Sequence, residues 1–434
     1  MSLSTYESPL TTRYLDEPLG KIWGPRHTRN LWRIFWFEHL FRTIDLMDVD
    51  GTPDVENLLL GLTSWSMYTE GDLEESQRLE EIVKHELVAE LISTEEKYPE
   101  LKGLLHLGCT SSDVQDYATY EQLDQSHLRL SQLFGELMQQ LTQMIGKHHN
   151  TPMLGMTHLR WAEPTTFGYR LAVYQQELRA ARNMADMARA VFPHPQPLGA
   201  VGTGSNLEML GVTPFSYSPA PLKGQTYPRQ QELRLLQAWG DCACTLSKMA
   251  HDLRLMFSHG QIDFDKDEGY QGSSAMPGKK NPIGLEKIGG LSRRIPHLIN
   301  EMWHIASLSH LERTLDDSSS RRSLLPDFFL LMAEILTTMT KELKDLTVRE
   351  DRCMSQILTH WESWLPSRLQ TKRQADGHPL RQSQINDLVE HAAGDWRIFW
   401  SWTSEDQFPK HLSDLLFLKS ASEAALESIK PWTD

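Results

Sequence analysis

Apolar residues recur every three or four positions along the middle of the chain. Between Tyr120 and His149 this spacing is that of one face of an α-helix. The positions concerned are Leu130, Leu133, Leu137, Leu141 and Met144. The same spacing returns in four further sets, over residues 171–185, 235–256, 288–305 and 325–346. Five long helices with apolar stripes of this width predict a helical bundle.

Stripes of this length can also serve helices of neighbouring chains, so we expect the bundle to assemble into an oligomer. The alternative is a monomeric bundle that buries its stripes internally. On either side of the bundle the pattern changes. Residues 1–105 form shorter helical pieces broken by turns, and residues 347–434 are polar and rich in tryptophan. The chain is therefore predicted to be all-α, with helical domains at 1–105, 106–346 and 347–434.

Composition narrows the class of protein. With 434 residues, 40% of them hydrophobic, the chain can bury a large core and form more than one domain. The net charge of −15 disfavours a nucleic acid or an acidic membrane as partner. The first residues lack the basic and apolar parts of a signal peptide, and we find no apolar run that predicts a membrane span. We expect a cytoplasmic protein. Its four cysteines lack the spacing of a zinc site.

The stretch GSSAMPGKKNP, at 272–282, carries the strongest chemical signal. Gly272 and Gly278 suit a mobile loop. A serine on such a loop can act as a nucleophile or, surrounded by cations and donors, as a base. Lys279 supplies a cation, and Asn281 supplies a donor for a developing anion. The alternative is a polar surface loop that caps a helix beginning near Pro282.

The pattern GSSxMPxKxNP resembles the signature loop of the fumarase/aspartase superfamily of lyases. Further segments resemble the adenylosuccinate lyase branch, in the same order along the chain, over roughly residues 8 to 330. They are SPLTTRY (8–14), LHLGCTSSDVQD (105–116), GMTHLRWAEPTTFG (155–168), GQTYPR (224–229) and LERTLDDSSSRR (311–322). The last hundred residues match only loosely.

The resemblance implies catalytic roles for five residues. Ser273 would take a proton from the succinyl β-carbon, and His158 would protonate the departing nitrogen. Glu286 would orient His158. Lys279 and Asn281 would stabilise the aci-carboxylate intermediate, because removal of a proton beside a carboxylate builds up negative charge. Closure of the loop would exclude water.

The resemblance also implies a set of substrate-binding residues. Arg13, Tyr14, Arg313, Ser318 and Arg322 match contacts to a nucleotide phosphate, a task that suits guanidinium groups. His85 and His106 match histidines near the substrate. Thr110, Ser111, Asp113, Thr157 and Gln225 complete the matched segments. Family members are homotetramers in which three chains contribute to each active site. No metal or organic cofactor is implied.

The implied activity is cleavage of adenylosuccinate to AMP and fumarate, and of SAICAR to AICAR and fumarate, in purine biosynthesis. Six departures from the family pattern keep another succinyl-amine conjugate open as the substrate. They are Glu86, Cys109, Trp161, Arg170, Thr314 and Arg321. A further alternative is a lyase fold that has lost catalysis and serves as a structural or binding protein. The intact set of Ser273, Lys279, Asn281, His158 and Glu286 argues against it.

Overall fold

The computed structural model describes residues 5–44, 68–212, 222–265, 276, 279–401 and 418–430. Within these ranges the chain is mostly helical, and the predicted all-α class is confirmed. The helices are α1 Pro9–Thr12, α2 Glu17–Ile22, α3 Pro25–Thr43, α4 Glu70–Val83, α5 Glu86–Lys97, α6 Ser111–His148, α7 Phe167–Ala190, α8 Ser205–Met209, α9 Gln230–Ser258, α10 Ile283–Ser292, α11 Ile295–Ser307, α12 Asp316–Lys344, α13 Glu350–Thr359, α14 Leu365–Ala375, α15 Gln382–His391, α16 Trp396–Ser401 and α17 Lys419–Ile429. Short 3₁₀ turns lie at Pro99–Leu101 and Trp361–Ser363.

Four of the five apolar stripes lie on single long helices, α6, α7, α9 and α12, except that the last residue of the stripe at 325–346 lies in a short strand after α12. The stripe at 288–305, predicted to be continuous, is divided between α10 and α11. Pro296 explains the break, because a proline ring has no N–H to give to the carbonyl of residue 292 and clashes with it. α10 accordingly ends at Ser292.

Four short strands form two antiparallel pairs that the hydrophobic pattern did not predict. β1 Pro152–Thr157 pairs with β2 Arg160–Thr166, and β3 Ile262–Phe264 pairs with β4 Leu346–Val348. The first pair is a hairpin with a two-residue loop, and its register shifts between Leu154 and Met156. This hairpin carries the GMTHLRWAEPTTFG segment, so its turn decides where His158 lies.

The chain divides into two compact units. Unit one comprises residues 1–133, 181–243 and 291–335, and unit two comprises 134–180, 244–290 and 336–434. In unit one, aromatic residues of α3, including Phe35 and Trp36, pack with Val114 and Tyr117 of α6. The predicted three-domain division stays a prediction.

In unit two, Leu154 of the hairpin packs in one core cluster with Ile357, Trp361, Trp364 and Phe399. Trp361 and Trp364 of the C-terminal region are therefore core residues. Burial of such large side chains is a major source of stability in a helical unit.

α12 is long and apolar enough to pass a test for a membrane span by length and composition alone. However, 72% of its apolar window is buried inside the protein, as in the core helix of a globular fold. All four cysteines lie in the described ranges as free thiols.

Candidate active site

His158 lies at the turn of the β1–β2 hairpin in unit two. It is exposed, and both loop residues have positive φ, 52° at His158 and 57° at Leu159. A two-residue hairpin loop of this kind favours asparagine or glycine, because other side chains meet the backbone in the left-handed region. Such strain, of order 1 kcal/mol per residue, persists where the surrounding structure imposes it, often at functional sites. The turn thus presents the His158 imidazole to solvent.

An open cleft of about 530 Å³ adjoins His158 within unit two. Tyr174 on its wall donates a hydrogen bond to Asp252, which also pairs with Lys248. Arg170 lines the same cleft, and burial lowers the pKa of its guanidinium from the ordinary value. Even a lowered arginine pKa leaves the group charged at neutral pH. The cleft beside His158 therefore contains a cation suited to a carboxylate ligand.

In the sequence, Arg170 stands out only as a departure from the family pattern, and Tyr174 only as a member of the apolar stripe at 171–185. Their spacing of four residues on a helix places both side chains on one face. That spacing is the signal that could have assigned them to one site.

Part of the signature loop can be placed. Lys279 is exposed, Asn281 is half-buried, and α10 begins at Ile283, as the helix predicted near Pro282 requires. Ser273 lies outside the described residues.

Glu286 is exposed on α10 and forms an ion pair with Arg254, at 3.3 Å. Among the described residues, no hydrogen bond or ion pair joins Glu286 to His158 within the chain. The orienting role of Glu286 stays a prediction, as does the role of Thr157, which is exposed at the end of β1.

In unit one, Asp113 is buried near the start of α6, with 1% of its surface exposed. Its carboxylate accepts hydrogen bonds from the backbone N–H groups of Thr110, Leu198 and Gly199, and Lys223 Nζ lies 2.8 Å away. Four donors satisfy the carboxylate, so we infer that Asp113 fixes the N-terminus of α6 to a neighbouring loop. Its predicted contact with the substrate stays a prediction.

This anchoring places Thr110 and Ser111 at the N-terminus of a 38-residue helix. Backbone N–H groups at such a terminus have no partner within the helix and attract anions. Gln225 is held nearby, because its amide oxygen accepts from Ser112 and its amide nitrogen donates to the carbonyl of Ala200. The predicted substrate-binding residues of this region therefore gather around one helix end.

A buried network of charges holds the segment at 311–322. Arg229 is 4% exposed and pairs with Asp116 at 2.8 Å and with Asp317 at 3.0 Å. Glu232 lies 3.6 Å from the same guanidinium. Burial alone would lower the pKa of Arg229, but the surrounding carboxylates raise it above its ordinary value. Mutual pairing is what makes such buried charges tolerable.

Arg321 joins the same network through Glu232 and Asp317. Its neighbour Arg322 points differently, with 62% of its side chain exposed, and pairs with Glu86 at 2.5 Å. Ser318, Glu86 and Arg322 line one cavity of about 300 Å³ in unit one, and Arg321, with 12% of its side chain exposed, also reaches its wall. Two adjacent arginines are thus divided between a structural and an accessible position.

The remaining predicted phosphate contacts are more dispersed. Arg313 is half-buried, and burial lowers its pKa from the ordinary value. Arg13 is exposed at the end of α1, and the half-buried Tyr14 follows it. His85 is the N-cap of α5, where its Nδ1 accepts from the backbone N–H of Val88, at 3.3 Å.

His106 is half-buried ahead of α6, and its Nδ1 accepts a hydrogen bond from the indole N–H of Trp36, at 3.1 Å. The sequence analysis did not single out Trp36. Among the described residues, no group of three or more His, Cys, Asp or Glu side chains is arranged to hold a metal ion.

Comparison with known proteins shows which family the chain resembles. A family model described as "Lyase" matches residues 65–296, more than half of the chain. Adenylosuccinate lyase of Schizosaccharomyces pombe is 28% identical over 359 residues, which are 79% of this chain and 74% of the relative. Adenylosuccinate lyase of Aquifex aeolicus is 29% identical over 374 residues, which are 83% of this chain and 82% of the relative.

Solved structures support the fold. Fumarate lyase from Mesorhizobium sp. BNC1 superposes with a TM-score of 0.75 at 17% identity, covering 96% of this chain and 98% of that one. The 3-carboxy-cis,cis-muconate lactonizing enzyme from Pseudomonas putida gives a TM-score of 0.75 at 21% identity, covering 98% and 100%. The chain therefore belongs to the lyase family, within the fumarase/aspartase superfamily that its signature loop resembles.

Proposed function

We propose that this protein cleaves adenylosuccinate to AMP and fumarate by β-elimination, with SAICAR as a second substrate. The observation that carries the proposal is the strained hairpin turn, which keeps the exposed His158 beside a cleft that contains Arg170. The named relatives are adenylosuccinate lyases, which supports this choice of substrate.

In the proposed reaction, the deprotonated Ser273 oxygen takes a proton from the succinyl β-carbon and becomes a neutral hydroxyl. The electron pair of that C–H bond first resides on the adjacent carboxylate, where Lys279 and Asn281 stabilise the added charge. The pair then forms the carbon–carbon double bond of fumarate while the C–N bond breaks. His158 gives its proton to the departing nitrogen, so both products leave with their charges balanced.

We further propose that the active enzyme is a cytoplasmic homotetramer whose sites are shared between chains. Support comes from apolar side chains that the bundle helices leave exposed. In unit one these include Met187, 61% exposed, and Trp303, 51% exposed; in unit two they include Val173, 48% exposed. Exposed apolar surface on long helices is typical of an association face.

Release of fumarate from adenylosuccinate by the purified protein is the direct test. We expect loss of substrate absorbance with equal amounts of AMP and fumarate. Ser273→Ala should abolish turnover but leave substrate binding largely intact, because the serine acts in the transition state. Ser274→Ala is the matched control on the same loop. Full activity of the Ser273→Ala variant would remove this serine from the role of base.

One observation favours a second candidate substrate. Glu86 holds Arg322, so a substrate phosphate must displace a carboxylate before it can reach this guanidinium. A succinyl-amine conjugate without a phosphate would not face that competition. Turnover of succinyladenosine in parallel with adenylosuccinate separates the two candidates. A higher kcat/KM for the dephosphorylated compound would favour the second.

A further inference from the structure

Trp36 lies in the core of unit one, where no part of its surface is exposed. Its indole N–H donates to Nδ1 of His106, and the two rings meet edge to face with centroids 6.1 Å apart and planes at 85°. Trp36 therefore contacts the predicted substrate-binding residue His106 through Nδ1 of its imidazole.

This contact determines where the proton of His106 resides. An indole nitrogen is only a donor, so its partner must offer a lone pair. Nδ1 of His106 is then unprotonated, and a neutral imidazole carries its proton on Nε2. An imidazolium would set an N–H of His106 against the N–H of Trp36 and break a buried hydrogen bond. The geometry thus opposes the charged form as well as the other tautomer.

The electrostatic surroundings act in the same direction. Burial lowers the pKa of His106 from the ordinary value, the Asp113 carboxylate opposes this, and His39 and His85 add to it. His39 is itself held by the carbonyl of Leu107, 2.9 Å from its Nε2, and burial also lowers its pKa. Lys223, 2.8 Å from the Asp113 carboxylate, offsets part of that negative charge.

We propose that Trp36 is a positioning residue that holds His106 as the neutral tautomer with its proton on Nε2, ready to donate one hydrogen bond to an anionic oxygen of the substrate. The inference rests on the proposed function for the identity of that substrate. It separates the roles of the histidines: His158 transfers a proton, whereas His106 keeps its own. A fixed donor needs no reorganisation when the substrate arrives.

The test combines two variants with a measurement that does not depend on turnover. Trp36→Phe removes the donor and keeps an aromatic ring. His106→Gln keeps an N–H donor near the Nε2 position and has no counterpart of Nδ1. Deuterium exchange at the C2 position of each histidine, followed by mass spectrometry across pH, reports the titration midpoint of His106. His127 in the same unit, whose surroundings are unchanged, is the internal control.

In the wild type we expect His106 to titrate below an ordinary histidine. In Trp36→Phe its midpoint should rise, the midpoint of His127 should stay in place, and kcat/KM should fall about tenfold, since a buried acceptor loses its partner. In the His106→Gln background, Trp36→Phe should cost little more, because the residue through which it acts is gone.

Two results would overturn the inference. One is an ordinary titration midpoint for His106 in the wild type, which needs no variant to fold. The other is an equal loss of activity from Trp36→Phe in both backgrounds, which would make Trp36 a packing residue only. Failure of the wild type to cleave adenylosuccinate would contradict the proposed function alone, because the exchange midpoints would still test Trp36 and His106.

Discussion

The two units of the chain use charge in different ways. In unit one, Asp113 and Arg229 are buried, the side chain of Arg321 is 12% exposed, and each of the three pairs with an opposite charge. In unit two, His158 and Lys279 are exposed, and His158 occupies a strained turn. Charged side chains that are paired hold the local backbone in place. A neighbouring side chain such as Arg322 then extends from that backbone into solvent. Exposed groups on a constrained turn remain accessible to a substrate. Residues in segments that resemble the same family therefore need not have the same physical role.

The largest effect is expected in unit two. His158→Asn removes the proton donor while placing at φ +52° a residue that tolerates this conformation. We expect kcat to fall by about 10²–10⁴-fold, with the unfolding transition unchanged or slightly higher. Steady-state kinetics and urea denaturation measure the two quantities. His378→Asn, an exposed histidine elsewhere in unit two, should leave both near wild type. If the His158→Asn variant lost stability as well as activity, His158 would also support the fold, which would contradict the contrast between the two units.

Arg321 and Arg322, adjacent in unit one, allow a direct comparison of a largely buried arginine with an exposed one. Arg321→Ala leaves the buried Glu232 with the Tyr227 hydroxyl and the longer contact to Arg229, and we expect it to destabilise the fold by about 3 kcal/mol. Arg322→Ala removes an exposed group, so stability should change by less than about 0.5 kcal/mol. Instead, KM for adenylosuccinate should rise about tenfold or more through loss of a charge-assisted contact. Equal stability losses in both variants would refute the division between buried and accessible arginines.

A smaller effect concerns pH. His127 is 2% exposed, and burial together with Arg182 and Arg189 lowers its pKa to about 4. In the unfolded chain His127 binds a proton near pH 6.5, whereas in the folded chain it stays neutral down to a lower pH. Stability should therefore fall as pH drops from 7 to 5, by about 1–2 kcal/mol from this residue. His127→Gln should flatten that part of the stability profile. An unchanged slope would show that other groups cause the acid sensitivity.

The smallest effect tests strain in the hairpin turn. Leu159 has a φ of 57° and is 67% exposed, so its side chain contributes little packing. Leu159→Gly should raise the free energy of unfolding by about 0.5–1 kcal/mol, because glycine adopts this conformation without steric cost. Denaturant titration measures the gain. A loss of stability would mean that the Leu159 side chain has contacts that outweigh the strain.

The sequence predicted the helices well, because apolar spacing reports directly on which face is buried. It predicted one helix too few at 288–305, where the apolar spacing continued through Pro296 although the backbone could not. The β1–β2 hairpin escaped notice for a different reason. Its turn residues are histidine and leucine, whereas the usual signal for such a turn is asparagine or glycine.

Motifs point to segments of the chain, whereas burial decides what each residue in such a segment contacts. No pattern distinguishes Arg321 from Arg322, and only the fold turns one inward. Trp36 likewise resembles any core aromatic in the sequence, because its hydrogen bond to His106 joins residues 70 positions apart. Long-range contacts of single polar atoms carry no local signature.

The left-handed turn at His158–Leu159 has a consequence for the way this protein tolerates mutation. At most positions, substitutions that lower the amount of folded protein also lower activity. At position 159 the two quantities should diverge, with small flexible residues increasing abundance in cells without a matching increase in turnover. A mutational scan that records abundance and growth separately would therefore mark this turn as a place where selection for chemistry has outweighed selection for stability.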